Sequence, residues 1–297
     1  MLSGALQADK QDCIEIHGFT MFYNEEASLS NVCRGIAEWQ AKGKYGHCLK
    51  DWRLINDGSE DSSLRIAKDF EKTHSFFRII SLNGNFGKGW AFRQGAEDLL
   101  KLDEGLDESI IVQIDGDLAK LKPANIDALI ENLIENVHIS AYKGPRVASI
   151  ALVPLPRARL IWRIFSTFWA KRNLAISGQR AYFGYTLKAV LPNIRLGTGF
   201  GLELVTNQSL IERFRYLAAN YGIKQRQRKE LIGVINWENV QHMVYKEKFS
   251  AHRRSRHYKA ASLAFLASHF HYLRVFADSV LGFIIALPRR WLRRKQR

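Results

Sequence analysis

The sequence predicts a doubly wound α/β fold built on a mostly parallel sheet. Three observations predict it. Short apolar runs alternate with segments of helical periodicity through the first 135 residues. The runs end in polar turns, several of them rich in acids and amides. The stretches between runs have helix length, which parallel strands need in order to cross back over a sheet.

Residues 14–22 form the first predicted strand, closed by Tyr23-Asn24-Glu25-Glu26. Residues 27–41 read as a helix, because Leu29, Val32, Cys33 and Ile36 recur on one face at i, i+3, i+4 and i+7. Residues 51–56 make a second strand, stopped by the turn composition Asp57-Gly58-Ser59. A helix over 62–74 leads to a third strand over 77–82, and then to the glycine-rich Asn83-Gly84-Asn85-Phe86-Gly87-Lys88-Gly89. A helix over 90–101 precedes a fourth strand, 109–114, which ends at Asp115-Gly116-Asp117. Pro123 opens a helix running to Glu135, a first-turn position where proline fits well. The second half is less regular: a short strand over 139–142, a helix over 202–220 and a strand over 229–238, with Gly178, Gly184, Gly197, Gly199 and Gly201 punctuating loops.

Hydrophobic content of 46% in 297 residues supports a real core, and the formal net charge is +15. That charge is uneven. Residues 211–297 hold 19 Lys/Arg against 5 Asp/Glu, and residues 141–172 hold seven Lys/Arg and no acid. The first 140 residues are therefore near neutral or acidic. Such asymmetry predicts an anionic partner: nucleic acid, phospholipid head groups or a phosphorylated substrate. No nucleic-acid reader motif accompanies it, so nucleic acid is set aside. Cys13, Cys33 and Cys48 show no CxxC spacing, which predicts ordinary thiols in a reducing cytosol. The first dozen residues carry no secretory signal pattern.

In a parallel sheet the clusters after strands one, two and four share the rim at the strands' carboxyl ends, where open α/β sheets bind ligands. The loop bearing Asn85 and Lys88 joins them. Asp115 and Asp117, spaced i, i+2, offer hard oxygen ligands for a divalent cation that also holds phosphates. Lys88 is placed to offset phosphate charge, and Gly87 and Gly89 permit close backbone approach.

Taken in order, Tyr23-Asn24-Glu25-Glu26, Asn56-Asp57-Gly58-Ser59-Glu60-Asp61, Asn85-Phe86-Gly87-Lys88-Gly89-Trp90-Ala91 and Asp115-Gly116-Asp117 resemble the GT-A type glycosyltransferases of family 2. The dolichyl- and polyprenyl-phosphate sugar transferase branch looks most similar. The resemblance covers about residues 14–205, and Ser177-Gly178-Gln179-Arg180 and Gly199-Phe200-Gly201-Leu202-Glu203 look like later blocks of that branch. It implies a GT-A fold, a nucleotide-diphosphate sugar as donor, and Mg2+ or Mn2+. It places Tyr23, Asn24, Glu25, Asn56, Asp57, Asn85, Lys88 and Asp115 around the nucleotide. Asp115 and Asp117 would hold the metal–diphosphate, with Asp117 the more direct ligand. The family usually has an aspartate at Asn56, an alanine at Gly116 and a proline at Phe22; none of these departures removes a ligand.

Glu203 has two readings. With a sugar-hydroxyl acceptor it is the base; with a phosphate acceptor it is a positioning group or a charge partner of Arg180. His242 is a candidate third metal ligand. The basic aromatic stretch with Arg157, Arg159, Trp162, Arg163 and Trp169 suits a lipid phosphate at a membrane surface. Residues 260–287 are apolar, interrupted by Arg274 and Asp278 and flanked by basic runs, which favours an interfacial element over a span. The expected organisation is a catalytic domain over 13–249 and a basic, membrane-associating extension over 250–297, peripheral on the cytoplasmic face. The expected acceptor is a polyprenyl or dolichyl phosphate. The alternatives are a hydroxyl acceptor (glycan, glycolipid or glycerate) and a non-catalytic scaffold at the membrane surface. Oligomeric state, donor sugar and base are left open.

Overall fold

The computed structural model describes residues 13–102, 105–153, 177–194, 202–224, 227–237 and 239–240. The basic aromatic stretch around Arg157–Trp169, His242 and the 250–297 extension lie outside the described residues. No helix among the described residues is long and apolar enough to cross a membrane.

Four strands run parallel in the first half: Ile16–Phe22 (β1), Leu49–Asn56 (β2), Phe77–Ser81 (β3) and Ile110–Gln113 (β4). They alternate with helices Leu29–Lys42 (α1), Ser63–Thr73 (α2), Lys88–Leu102 (α3) and Pro123–Ile134 (α4). A two-stranded hairpin, Asn136–Ile139 (β5) and Tyr142–Pro145 (β6), follows. Ala148–Leu152 (β7) and Gln179–Phe183 (β8) then join the main sheet. Helices Gly184–Val190 (α5), Leu202–Tyr221 (α6) and Arg228–Leu231 (α7) precede the edge strand Ile232–Asn236 (β9). The seven-stranded order is β3-β2-β1-β4-β8-β7-β9. Only β8 runs against its neighbours. The sheet is mixed but mostly parallel, as the alternating pattern predicts.

Helices cover both faces, so β1, β4 and β8 are buried along their whole length. Strand alternation sorts the core. Phe19, Met21, Ile55, Ile111 and Tyr182 face α3, α5 and α6. Ile16, Phe22, Trp52, Leu54 and Val112 face α1 and α4. The buried face of α1 is Leu29, Val32, Cys33, Ile36 and Trp39, the stripe its spacing predicts. Trp39 meets Trp52 edge-on with ring centroids 6.2 Å apart, a geometry worth about 1 kcal/mol beyond area burial.

Four expectations are corrected. The strand predicted at 139–142 is the turn of the β5–β6 hairpin, with Ser140 at φ 53°. The strand predicted over 229–238 begins as the helical turn α7. Gly184 opens a helix rather than a loop. Cys13 and Cys48 form a disulfide with Cα atoms 5.6 Å apart. The physical reason is topological: the two lead into neighbouring parallel strands, so one β–α–β unit brings together residues 35 positions apart. His47 Nε2 lies 3.6 Å from Cys48 Sγ. With the two sulfurs bonded to each other, this trio has no free thiolate for a metal. Cys33 is the free thiol among the described residues, and burial pushes its pKa well up.

Candidate active site

The site lies where β1, β2 and β4 end. The Asn24 loop and the Asp57 loop are stitched together. The Asn24 N–H donates to Ser59 Oγ at 3.0 Å, and the Glu60 N–H donates to Asn24 Oδ1 at 2.9 Å. The Glu25 N–H donates to Ser63 Oγ at 2.7 Å, and the Glu26 N–H to Asp61 Oδ2 at 3.2 Å. Asn24 holds φ 54°, a left-handed conformation that asparagine tolerates better than most residues. Asn56 is committed locally: its Oδ1 accepts the Ser59 N–H and its Nδ2 donates to Ser81 Oγ, both at 2.9 Å.

Asp57 reaches the glycine-rich loop. Its two carboxylate oxygens accept the Phe86 and Gly87 N–H groups, each at 2.8 Å. Burial raises the Asp57 pKa, and those two bonds only partly oppose it. Tyr23 is half-buried on the same rim, while Asn85 is exposed.

Lys88, at the start of α3, is the electrostatic centre. Its Nζ lies 2.6 Å from Asp115 Oδ1 and 2.5 Å from Glu203 Oε1. Burial would lower the pKa of this ammonium, but the charges of Asp115 and Glu203 win and push it above its usual value. Glu203 is only 5% exposed in the first turn of α6. Arg180, on β8, is fully buried, which lowers its pKa against the pull of Glu203. Its Nε donates to the Ser177 carbonyl at 2.5 Å and its Nη1 to Asn207 Oδ1 at 2.7 Å.

The structure thus brings together Asn24, Glu25, Asp57, Lys88, Asp115, Arg180 and Glu203. Asp117 is two residues beyond Asp115 and half-buried. Its turn is anchored by Ser28, whose hydroxyl donates to the Gly116 carbonyl at 2.9 Å. Ser28, Ser59, Ser63, Gln179 and Asn207 carry bonds that the sequence analysis assigned to no one. Ser59 and Gln179 stand inside its motifs; Asn207, four residues beyond Glu203 on α6, had no comparable signal.

A seven-stranded, mostly parallel sheet with acid- and amide-rich loops gathered at its carboxyl rim has the architecture of the GT-A, nucleotide-diphosphosugar transferase type of fold. The chain belongs to glycosyl transferase family 2, whose model matches residues 19–182. It is 28% identical over 177 residues to a glucosyl-3-phosphoglycerate synthase of Petrotoga mobilis, covering 56% of this chain and 52% of that protein. The chain thus spans about half the length of the curated relative it matches. Among solved structures it resembles glucosyl-3-phosphoglycerate synthase of Mycobacterium tuberculosis. The complex with Mn2+, UDP and glucosyl-3-phosphoglycerate gives a TM-score of 0.51 at 18% identity, covering 78% of this chain and 72% of that one. The complex with Mn2+, UDP-glucose and phosphoglyceric acid gives 0.52 at 18%, covering 79% and 74%.

Proposed function

We propose that this chain transfers a sugar from a nucleoside diphosphate sugar to a hydroxyl group of a small phosphorylated acid, of the 3-phosphoglycerate kind, with Glu203 taking the proton. One observation carries the reading. Glu203 is a buried carboxylate placed a single lysine away from Asp115. An acceptor phosphate arrives ionised and needs no base, whereas an acceptor hydroxyl must lose its proton as the new bond forms. The glucosyl-3-phosphoglycerate synthases among its relatives support the hydroxyl acceptor over the lipid phosphate expected from sequence. The basic stretches suit a phosphorylated acceptor as well as they suit a lipid head group.

Asp115 and Asp117 would hold Mg2+ or Mn2+. The donors fit: they are hard carboxylate oxygens, and the ammonium seated on Asp115 Oδ1 shows that this position stabilises positive charge. When bound, the metal offsets charge on the leaving diphosphate. The chain's own residues do the rest. Asn24 and Asp57 frame the nucleoside, Lys88 moves charge toward the diphosphate, and Glu203, relieved of that ammonium, accepts the hydroxyl proton. The basic 250–297 extension is proposed to meet the anionic partner.

The test is Glu203→Gln assayed with UDP-glucose and Mn2+ against 3-phosphoglycerate and against a polyprenyl phosphate. We expect turnover with 3-phosphoglycerate and a loss of about 10²–10⁴-fold in kcat for the variant, with UDP binding intact. Turnover on polyprenyl phosphate alone, with less than a severalfold loss, would restore the lipid-phosphate reading.

A further inference from the structure

Asp115 does not choose its own orientation. Gln179, the first residue of β8, is fully buried and meets Asp115 with both ends of its amide. Gln179 Oε1 accepts the Asp115 backbone N–H at 2.8 Å. Gln179 Nε2 donates to Asp115 Oδ2 at 3.0 Å. One bond fixes the main chain where β4 leaves the sheet, and the other fixes the side-chain rotamer. Together they turn Oδ1 toward Lys88.

Gly178 completes the bracket. A Cβ at that position would stand 2.1 Å from Asp115 Oδ2. Ser177 holds the segment in place, its hydroxyl donating to the Ala151 carbonyl on β7 at 2.5 Å. The antiparallel direction of β8 makes this possible. Gln113 pairs with Arg180 at the end of β4, and the same register carried one and two residues further sets Gln179 beside Ile114 and Gly178 beside Asp115, within reach of the Asp115 main chain and carboxylate.

We propose that Gln179 is a positioning residue that presents Asp115 to the metal-bound diphosphate of the donor. The inference rests on the donor-site reading above and extends it to a fully buried residue that acts through Asp115. An amide is required here because it supplies an acceptor for a backbone N–H and a donor for a carboxylate from one planar group. Methionine fills the volume and supplies neither bond. Glutamate keeps the acceptor but sets an oxygen anion against the Asp115 carboxylate.

The experiment titrates UDP, or GDP if the wild type binds that instead, by calorimetry with and without Mn2+. The variants are Gln179→Met, Gln179→Glu, Asp115→Asn and the double variant with Asp115→Asn and Gln179→Met. For the two single Gln179 variants, expected is a metal-free affinity within twofold of wild type and a loss of about 10–100-fold in the Mn2+-dependent gain, the usual effect of removing a group that orients a metal ligand. In the Asp115→Asn background, Gln179→Met should add nothing further, which a general loosening of the fold would not reproduce. Should Gln179→Met fail to fold, Gln179→Glu carries the test, because it still satisfies the buried N–H. A full Mn2+ gain in the Gln179 variants, with the gain lost in Asp115→Asn, overturns the inference and leaves the donor-site reading standing. No Mn2+ gain in the wild type would sink both.

Discussion

Asp57 shows how one carboxylate can frame a loop at the scale of a single residue. It holds the Phe86 and Gly87 N–H groups with separate oxygens. Asp57→Asn keeps one acceptor and turns an NH2 group against the other N–H, leaving a donor unsatisfied. Such a loss costs about 1–3 kcal/mol. We expect UDP affinity in the presence of Mn2+ to fall about tenfold or more, read by calorimetry; unchanged affinity would mean that this loop does not frame the nucleotide. Asp57, Lys88, Asp115 and Glu203 were legible in the sequence because each sits next to a strand end or a helix start that periodicity locates. The bonds of Gln179 and Ser28 were not. Their partners lie 64 and 88 positions away, and spacing along one chain says nothing about distance across a sheet. Asn56 was legible as a polar residue at a strand end, but its turn-locking bonds to Ser59 and Ser81 were not.

At the scale of elements, α1 and α4 are joined by one side chain. Asp127 on α4 accepts the Trp39 indole N–H at 2.8 Å, the Lys44 N–H at 3.0 Å and the Tyr45 N–H at 3.2 Å. It therefore ties the end of α1 and the turn after it to the neighbouring helix. Asp127→Ala leaves three N–H donors without their acceptor at once and should destabilise the protein by about 2–3 kcal/mol, measured by urea unfolding; a loss below 1 kcal/mol would mean that water replaces all three bonds. The first-half elements were readable to within a few residues because their apolar periods are clean. The strands β7 and β8 escaped notice for a physical reason. Ser149, Gln179 and Arg180 are polar yet buried in them, so the apolar run that marks a central strand is broken by the residues that build the site. The β5–β6 turn carries Ser140-Ala141 rather than a glycine signature, so nothing in the sequence marks it off from the strands it joins.

At the scale of the whole molecule, a buried ionic cluster links β1, β2 and α3. Arg53, fully buried, contacts Asp51 through Nη1 and Asp98 through Nε at 2.9 Å. His17 Nδ1 lies 3.1 Å from Asp51 Oδ1. Burial alone would raise the Asp51 pKa, but the His17 hydrogen bond and the Arg53 charge prevail and hold it below its usual value. A carboxyl depressed in the folded state stabilises above its unfolded pKa, about 3.9, and that contribution drains away as pH falls through the folded value. Asp51→Asn should therefore cost stability at pH 7, by about 3 kcal/mol for a broken buried pair. The cost should shrink as pH drops below about 4, where the carboxyl of the unfolded chain begins to take up its proton while the folded one, held lower, still resists. Urea unfolding of both proteins at pH 7 and pH 3 reads the difference directly. A gap of equal size at both values would show that the cluster works by hydrogen bonding alone, and that the charge on Asp51 adds nothing to the fold of this strongly basic chain.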